Sequence, residues 1–404
     1  MSLISSKSLA IVKATRGVVA ENALAITKAF YPKMLHNNPE VLRYFNESNQ
    51  RRGAQPIALA DSVVAYALNI ESLENLASDV ERITHKHCAL NVQPDDYQIV
   101  HDNLMAAIAE VLGDAVTADV GAAWSEAVMA LGKVLIDAES ALYKKTAKAP
   151  GGWKGKREFQ VVAKQAEGAG IATFSFKPTD GKPIMKTEVG QYVTVAVNPL
   201  GKKYFAPRHY TLTSQPGEDA FKITVKKLTE DDHHGVVSTF LVDNVSVGDK
   251  VELFPPFGPC TLQGDPNKPA VFISAGIGVT PWVTMIPAVS QSRPKIAWFH
   301  ADGSSETHAL KAQLEVAIGG DGIISYSYSH PIDGDLSAPH VSPGRLDLSK
   351  AKRTLEEGGI ALESADFFLS MRPEHSVAFA LDLKKHGVPG DAIFANEFGP
   401  HKKH

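Results

Sequence analysis

The chain has 404 residues, 44% of them hydrophobic, and a formal net charge of −4, enough for about three domains with separate cores. No run of like charge supplies the basic stripe that nucleic acid or an anionic membrane surface requires, and no apolar run approaches a membrane span. The two cysteines, Cys88 and Cys260, lack disulfide or zinc-ligand spacing, and residues 1–17 have no signal-peptide core, so a soluble cytoplasmic protein is expected.

Up to Pro150-Gly151-Gly152, helical spacing dominates. It links Leu24, Thr27, Tyr31, Met34 and Leu35; Val80, Ile83 and His87; Tyr97, Val100, Leu104, Ile108 and Val111; and Trp124, Val128, Leu131, Leu135, Glu139 and Leu142. Four polar residues, Tyr31, His87, Tyr97 and Glu139, lie on these stripes. A buried carboxylate is costly unless it is bonded, so Glu139 needs a partner. His87 is the candidate, because a metal-bound imidazole gives its other ring N–H to a carboxylate. An iron held by one histidine in a helical pocket is haem chemistry. A lone histidine on an apolar face is more often a satisfied core residue; it is the set of four that points to a cofactor. His85 falls on another face and reads as solvated.

Beyond the glycine pair, alternation takes over in Phe174-Ser175-Phe176, Tyr192-Val193-Thr194-Val195 and Phe221 to Lys226, the pattern of a small antiparallel barrel. The segment Arg208-His209-Tyr210-Thr211-Leu212-Thr213-Ser214 places an arginine, a tyrosine and a serine on one extended strand. The guanidinium offers a bidentate fork for pyrophosphate, the phenol a wall for a ring or sugar, and the hydroxyl a partner for a ring nitrogen. A dinucleotide such as FAD fits that set. From about Gly264, short apolar runs at Ala270 to Ile273, Lys295 to Phe299, Ile323 to Tyr328 and Asp366 to Leu369 alternate with helix-length stretches, which predicts a parallel sheet. Ser274 to Pro281 follows one of these strands and is expected to open a helix, so its amides can receive dinucleotide phosphates. It is not the G-x-G-x-x-G fingerprint.

These positions resemble the flavohaemoglobins. Phe30-Tyr31, Leu42-Arg43-Tyr44-Phe45-Asn46, Ser48-Asn49-Gln50-Arg51, Ala54-Gln55, Lys86-His87, Pro94-Asp95-Asp96-Tyr97 and Ile136 to Tyr143 look like that family's globin signatures, and the similarity continues through the later domains. The resemblance implies an all-α globin domain over residues 1–148, an antiparallel β-barrel FAD domain over 149–263 and an α/β parallel-sheet NAD(P)H domain over 264–404. It implies haem b with His87 as proximal iron ligand, Phe45 on the porphyrin, and Tyr31, Gln55 and Leu59 on the distal side. Tyr97 and Glu139 would bond His87, and Lys86 would lie at the haem edge or in solvent. For FAD it implies Gln191, Tyr192, Arg208, His209, Tyr210, Thr211, Ser214, Gly235, Val236, Val237 and Ser238, with Phe398 covering the flavin. For NADH or NADPH it implies Gly276, Ile277, Gly278, Val279, Thr280 and Pro281.

The implied activity is nitric oxide dioxygenation, in which electrons pass from NAD(P)H through FAD to haem, and oxygen and nitric oxide give nitrate. Tyr31, Tyr97 and Glu139 would be the catalytic residues of a monomer. Three departures leave other readings open. Ser370-Met371-Arg372-Pro373 stands where Cys-Gly-Pro is usual, so a bulky Met371 replaces the glycine that keeps space for the nicotinamide. Asn396 replaces an acidic residue, and Pro259-Cys260 replaces an Asp-Phe pair. The alternatives are a haem-based gas-binding or sensor protein with an impaired reductase half, and an NAD(P)H diaphorase or flavin reductase.

Overall fold

The computed structural model describes residues 3–45, 54–199, 201, 206–230, 233–259 and 262–396. The described residues fold as two compact units, one built on the chain up to Gly155 with Ala196–Pro207, the other on Lys156–Val195 and residues 208–396. The first contains α1 (Ser6–Asn37), α2 (Ala54–Leu68), α3 (Ala77–Leu90), α4 (Asp96–Leu112) and α5 (Ala118–Lys148).

Local chemistry sets the ends of these helices. Ser5 Oγ accepts from Ser8 N at 3.2 Å to start α1, and Thr117 Oγ1 accepts from Val120 N at 3.3 Å to start α5. Helix α3 stops at Asn91, whose left-handed φ of 60° lets Val92 N return to the carbonyl of His87 at 3.0 Å. Val12, Phe30, Met34, Leu104, Ile108 and Trp124 share one core, and Trp124 Nε1 is satisfied by Thr15 Oγ1 at 2.9 Å. One expected core residue of α1 is displaced: Leu24 is 42% exposed, and the buried face runs through Ala23, Ile26, Thr27, Phe30, Tyr31 and Met34. Thr27 tolerates that burial because its hydroxyl donates to the Ala23 carbonyl at 3.0 Å. His85 is half-buried rather than solvated, and burial pushes its pKa down to about 4.

The barrel strands are β1 (Arg157–Gly168), β2 (Ile171–Pro178), β3 (Tyr192–Val197), β4 (Ala206–Thr211) and β5 (Phe221–Lys226). The short β6 (Thr229–Glu230) and β7 (His233–His234), α6 (Val236–Asn244) and β8 (Lys250–Leu253) follow. Strand order in the main sheet is β4-β3-β8-β1-β2-β5, with β2 antiparallel to both β1 and β5. The alternation read from β2 is real: Phe174 and Phe176 are buried and Ser175 is half-buried.

The last part contains β9 (Ala270–Ala275), α7 (Trp282–Val289), β10 (Ile296–Asp302), α8 (Lys311–Ile318), β11 (Ile323–Tyr328) and β12 (Val341–Pro343). After these come α9 (Leu348–Glu357), β13 (Asp366–Ser370), α10 (Pro373–Lys385) and β14 (Ile393–Ala395). The strands form a parallel sheet, ordered β12-β11-β10-β9-β13-β14. Both faces are covered, which is why its central strands read as unbroken apolar runs. Phe272 and Trp298 pack with Trp282 and Leu314 on one side, and Val271, Ile273 and Leu369 pack with Leu355 and Leu383 on the other. Met371 belongs to the second cluster and is 5% exposed.

A buried ion pair joins the segment before β10 to the start of β13, and the backbone before β9 is bonded to both partners. Arg293 Nη1 donates to Asp366 Oδ2 at 2.6 Å, with both side chains at most 3% exposed. Arg293 Nη2 donates to the Gln263 carbonyl at 3.0 Å, and Asp265 N donates to Asp366 Oδ2 at 2.7 Å. A Cβ on Gly264 would lie 2.2 Å from that same oxygen, so the turn requires glycine. Removing one partner of such a pair strands the other in the interior. Asp366→Ala is therefore expected to cost about 3–5 kcal/mol of stability, measured by urea unfolding of the full-length protein.

His300 and His308 stack at 4.0 Å between ring centroids and are 0% and 4% exposed. Burial lowers the pKa of both, so the unfolded chain, with imidazoles near 6.5, takes up protons before the folded one does. Their contribution to stability is complete above that pH and is lost as pH falls below it. A His308→Gln variant is expected to show a shallower loss of unfolding midpoint on acidification from pH 6.5 than the parent, read by thermal melts.

Candidate cofactor sites

Helix α3 presents His87 in its last turn, and α5 presents Glu139, 2% exposed, on its inner face. His87 Nδ1 lies 2.8 Å from Glu139 Oε1 and 3.0 Å from the Tyr97 hydroxyl, which itself donates to Glu139 Oε1. A carboxylate accepts, so Nδ1 carries the proton and Nε2 keeps its lone pair. Among the described residues no side chain or backbone group bonds Nε2. Burial, followed by the charge of Glu139, pushes the Tyr97 phenol far above its ordinary pKa, so it remains a donor. The carboxylate requested by the sequence is therefore the one that the fold supplies.

Tyr31 is 8% exposed, and burial raises its pKa as well. Its hydroxyl donates to the Gln55 carbonyl at 3.4 Å, and its ring stands edge-on to Phe45 at 5.7 Å and Phe30 at 4.9 Å. Gln55 Oε1 is buried without a partner, and Leu59 packs half-buried against the same core. A histidine with one anchored and one available nitrogen, a buried phenol and an orphaned amide oxygen make a donor set that fits haem and a small polar ligand.

In the barrel, β4 carries Arg208, His209, Tyr210 and Thr211, and Ser214 follows with 2% exposure. His209 Nδ1 is joined to Thr194 Oγ1 at 2.7 Å, with its ring 4.9 Å from that of Tyr192. Burial raises the pKa of the Tyr210 phenol. Gly258, with φ at 118°, would bring a Cβ within 3.0 Å of Tyr192, so the tyrosine is seated on bare backbone. Gly235 precedes α6 as its N-cap, and a Cβ there would meet Leu228 and Ser238 at 2.7 Å. Ser238 Oγ is spent locally, accepting from Leu228 N at 3.0 Å and donating to the Gly235 carbonyl at 3.2 Å. Val237 is in the core and Val236 is exposed, so this stretch offers a ligand its backbone more than its side chains.

The glycine turn differs from its expectation. Gly276–Val279 forms a 3-10 turn, and α7 begins only at Trp282, beyond Pro281. Gly276 has φ at 52°, and a Cβ on Gly278 would lie 2.1 Å from the Ser370 carbonyl, so Gly278 lets β9 and β13 close on each other. Val279 and Thr280 are buried and Ile277 is half-buried. Lys226 Nζ stands 3.7 Å from where a Gly276 Cβ would be, paired with Asp302 at 3.4 Å. A cation beside the start of a glycine turn suits a phosphate. The Met371 side chain lies in the sheet's other cluster, so the bulk that the sequence placed beside the nicotinamide is turned into the core.

Two positioning residues were named in the sequence only within longer runs. Tyr143, one turn beyond Glu139, donates to the Val92 carbonyl at 2.9 Å and so holds the end of α3. Asp96 is 8% exposed and binds Tyr44 and Arg43. Helical spacing from Glu139 would have found the first; nothing local marks the second. Phe398, Asn46, Ser48 to Arg51 and Cys260 lie outside the described residues.

Known proteins resemble this chain along almost its whole length. A globin family model matches residues 28–135, and an oxidoreductase FAD-binding domain model matches residues 158–261. A flavohemoprotein of Halalkalibacterium halodurans is 37% identical over 404 aligned residues, covering 98% of this chain and 97% of that one. The crystal structure of flavohemoglobin from Malassezia yamatoensis with bound FAD and heme superposes with a TM-score of 0.81 at 29% identity, covering 98% of this chain and 99% of that chain. The Flavohem-like FAD/NAD-binding domain of a nitric oxide dioxygenase from Vibrio cholerae matches with a TM-score of 0.52 at 29% identity, over 60% of this chain and 99% of that chain. With a globin fold bearing an anchored histidine, an antiparallel flavin-type sheet and a parallel nucleotide-type sheet in one order, the chain belongs to the flavohaemoprotein family.

Proposed function

We propose that this flavohaemoprotein is a nitric oxide dioxygenase that uses haem b, FAD and NADH or NADPH, turning nitric oxide and oxygen into nitrate in the cytoplasm. The observation that carries the reading is the His87, Glu139 and Tyr97 cluster, which leaves one imidazole nitrogen available to iron. The relation to a nitric oxide dioxygenase domain supports the choice of reaction. Residues 1–148, 149–263 and 264–404 would form its globin, FAD and NAD(P)H domains, in a protein acting as a monomer. Among the described residues no helix is long and apolar enough to cross a membrane.

When bound, the cofactors supply the redox chemistry, accepting hydride from the nicotinamide and passing electrons singly to the gas-binding iron. This chain's residues do the rest. His87 Nε2 would hold the iron, while Glu139 accepts from Nδ1 and makes the imidazole a stronger donor. The Tyr31 hydroxyl, now donated to the Gln55 carbonyl at 3.4 Å, would turn to hold oxygen in the pocket. Arg208, Tyr210 and Ser214 would take the pyrophosphate, sugar and ring of FAD, with Tyr192, His209, Thr211 and the Gly235 to Ser238 backbone around them and Phe398 over the flavin. The turn from Gly276 to Pro281, with Lys226, would take the nicotinamide dinucleotide phosphates.

The test is the visible spectrum of full-length protein reconstituted with haem and FAD, followed as NADH and then NADPH are added without oxygen. Flavin bleaching followed by haem reduction is expected, with nitrate formed per NAD(P)H consumed once both gases are admitted. A flavin that stays oxidised while dithionite reduces the haem would instead indicate a gas-binding or sensor protein. Rapid NAD(P)H oxidation without nitrate would indicate a diaphorase.

Two substitutions test the assigned roles. Glu139→Gln is expected to raise the haem reduction potential and to lower turnover by about 10- to 100-fold, the usual cost of losing a ligand's outer partner; an unmoved potential would sever the link to His87. Tyr31→Phe is expected to speed oxygen dissociation about tenfold, the equivalent of one hydrogen bond, measured by stopped-flow. Unchanged oxygen kinetics would take Tyr31 out of the mechanism.

A further inference from the structure

Two pairs of adjacent residues join parts of the haem site that are far apart in sequence. Phe45 stands edge-on to Tyr31 at 5.7 Å between ring centroids, and Tyr97 reaches His87 Nδ1 at 3.0 Å and donates to Glu139. Their chain neighbours are bonded to each other. Tyr44 Oη donates to Asp96 Oδ2 at 2.7 Å, and Arg43 Nη2 donates to Asp96 Oδ1 at 3.3 Å. Asp96 Oδ2 also accepts from Gln93 N at 2.8 Å. The Arg43 guanidinium lies over the Tyr44 ring at 4.7 Å, so the cation packs on the phenol that shares its carboxylate.

Asp96 is the first residue of α4 and is 8% exposed. A carboxylate in the first turn of a helix is favoured by the dipole, yet burying it is costly unless its oxygens are bonded. Here three donors satisfy it, one of them the backbone just before α4 and two of them side chains from Pro39–Tyr44, the 3-10 turn that delivers Phe45. Burial first, and Asp96 second, raise the pKa of the Tyr44 phenol, so it stays a donor. The short Tyr44 to Asp96 bond therefore sets where Phe45 and Tyr97 can stand relative to each other.

We propose that Asp96 is a positioning residue that couples the Tyr31 side of the haem site to the His87 side, holding Phe45 against Tyr31 and Tyr97 against Glu139 through one carboxylate. The inference rests on His87 being the iron ligand.

The experiment uses full-length, haem-loaded protein with Tyr44→Phe, which deletes one hydroxyl outside both contact groups, and Asp96→Asn, which removes the charge at constant shape. Resonance Raman of the ferrous form without added ligand reads the iron–histidine stretch, and infrared of its carbon monoxide adduct reads the Tyr31 side. Both bands are expected to move in each variant, with oxygen dissociation about fivefold faster, as for one lost hydrogen bond. A Tyr44→Phe protein in which either band keeps its wild-type position overturns the coupling, even if its melting temperature falls, because that pattern is ordinary loss of packing. Failure of the underlying reading looks different: the parent protein itself would show no iron–histidine band.

Discussion

The helical unit at the start of the chain depends on one buried carboxylate. Glu139 is 2% exposed, and its cost of burial is offset by two donors, the His87 imidazole and the Tyr97 phenol. Those donors come from two further helices, so satisfying one acid fixes α3, α4 and α5 together. It also fixes the histidine tautomer, because Nδ1 must carry the proton. The state of the imidazole and the packing of the helices are thus set by the same bonds, and neither can change alone.

The surroundings of that cluster are tied down in the same manner. The left-handed Asn91 ends α3 directly after His87, and Tyr143 bonds the carbonyl of Val92. The histidine is therefore held by its ring, by its helix end and by the chain beyond it. A histidine fixed at three points would lose little freedom on taking up iron, which is the physical content of a preformed site. Beside Tyr31, the unpartnered Gln55 Oε1 leaves polar capacity unspent in an apolar setting, the usual mark of a place where a ligand completes the hydrogen bonding.

The reductase half uses backbone where the globin uses side chains. Gly235, Gly258, Gly276 and Gly278 each stand where a Cβ would collide with a neighbour or where φ is positive, so these turns pack in space or adopt backbone that a side chain would not allow. Gly278 also brings β9 to β13 at the carboxyl ends of the parallel strands, where open α/β sheets form their ligand crevices. Met371, just past the end of β13, packs its side chain into the core cluster of Leu355 and Leu383.

Periodicity and motif chemistry determined the succession of helical, alternating and buried-strand segments, because each period reflects which faces are covered. The strands Phe221 to Lys226 and Ile323 to Tyr328 follow directly from it. The need of Glu139 for a partner was also legible, since an acid on an apolar stripe is costly by itself. Other features depended on through-space geometry. The buried face of α1 runs through Ala23, Ile26 and Phe30 rather than Leu24, and the glycine turn became a 3-10 turn because Gly278 packs on the Ser370 carbonyl. The direction of Met371 and the bond from Tyr44 to Asp96 join residues whose spacing in sequence carries no period. A one-dimensional pattern records which face a residue occupies; only the packed structure decides which residue on another element meets it there.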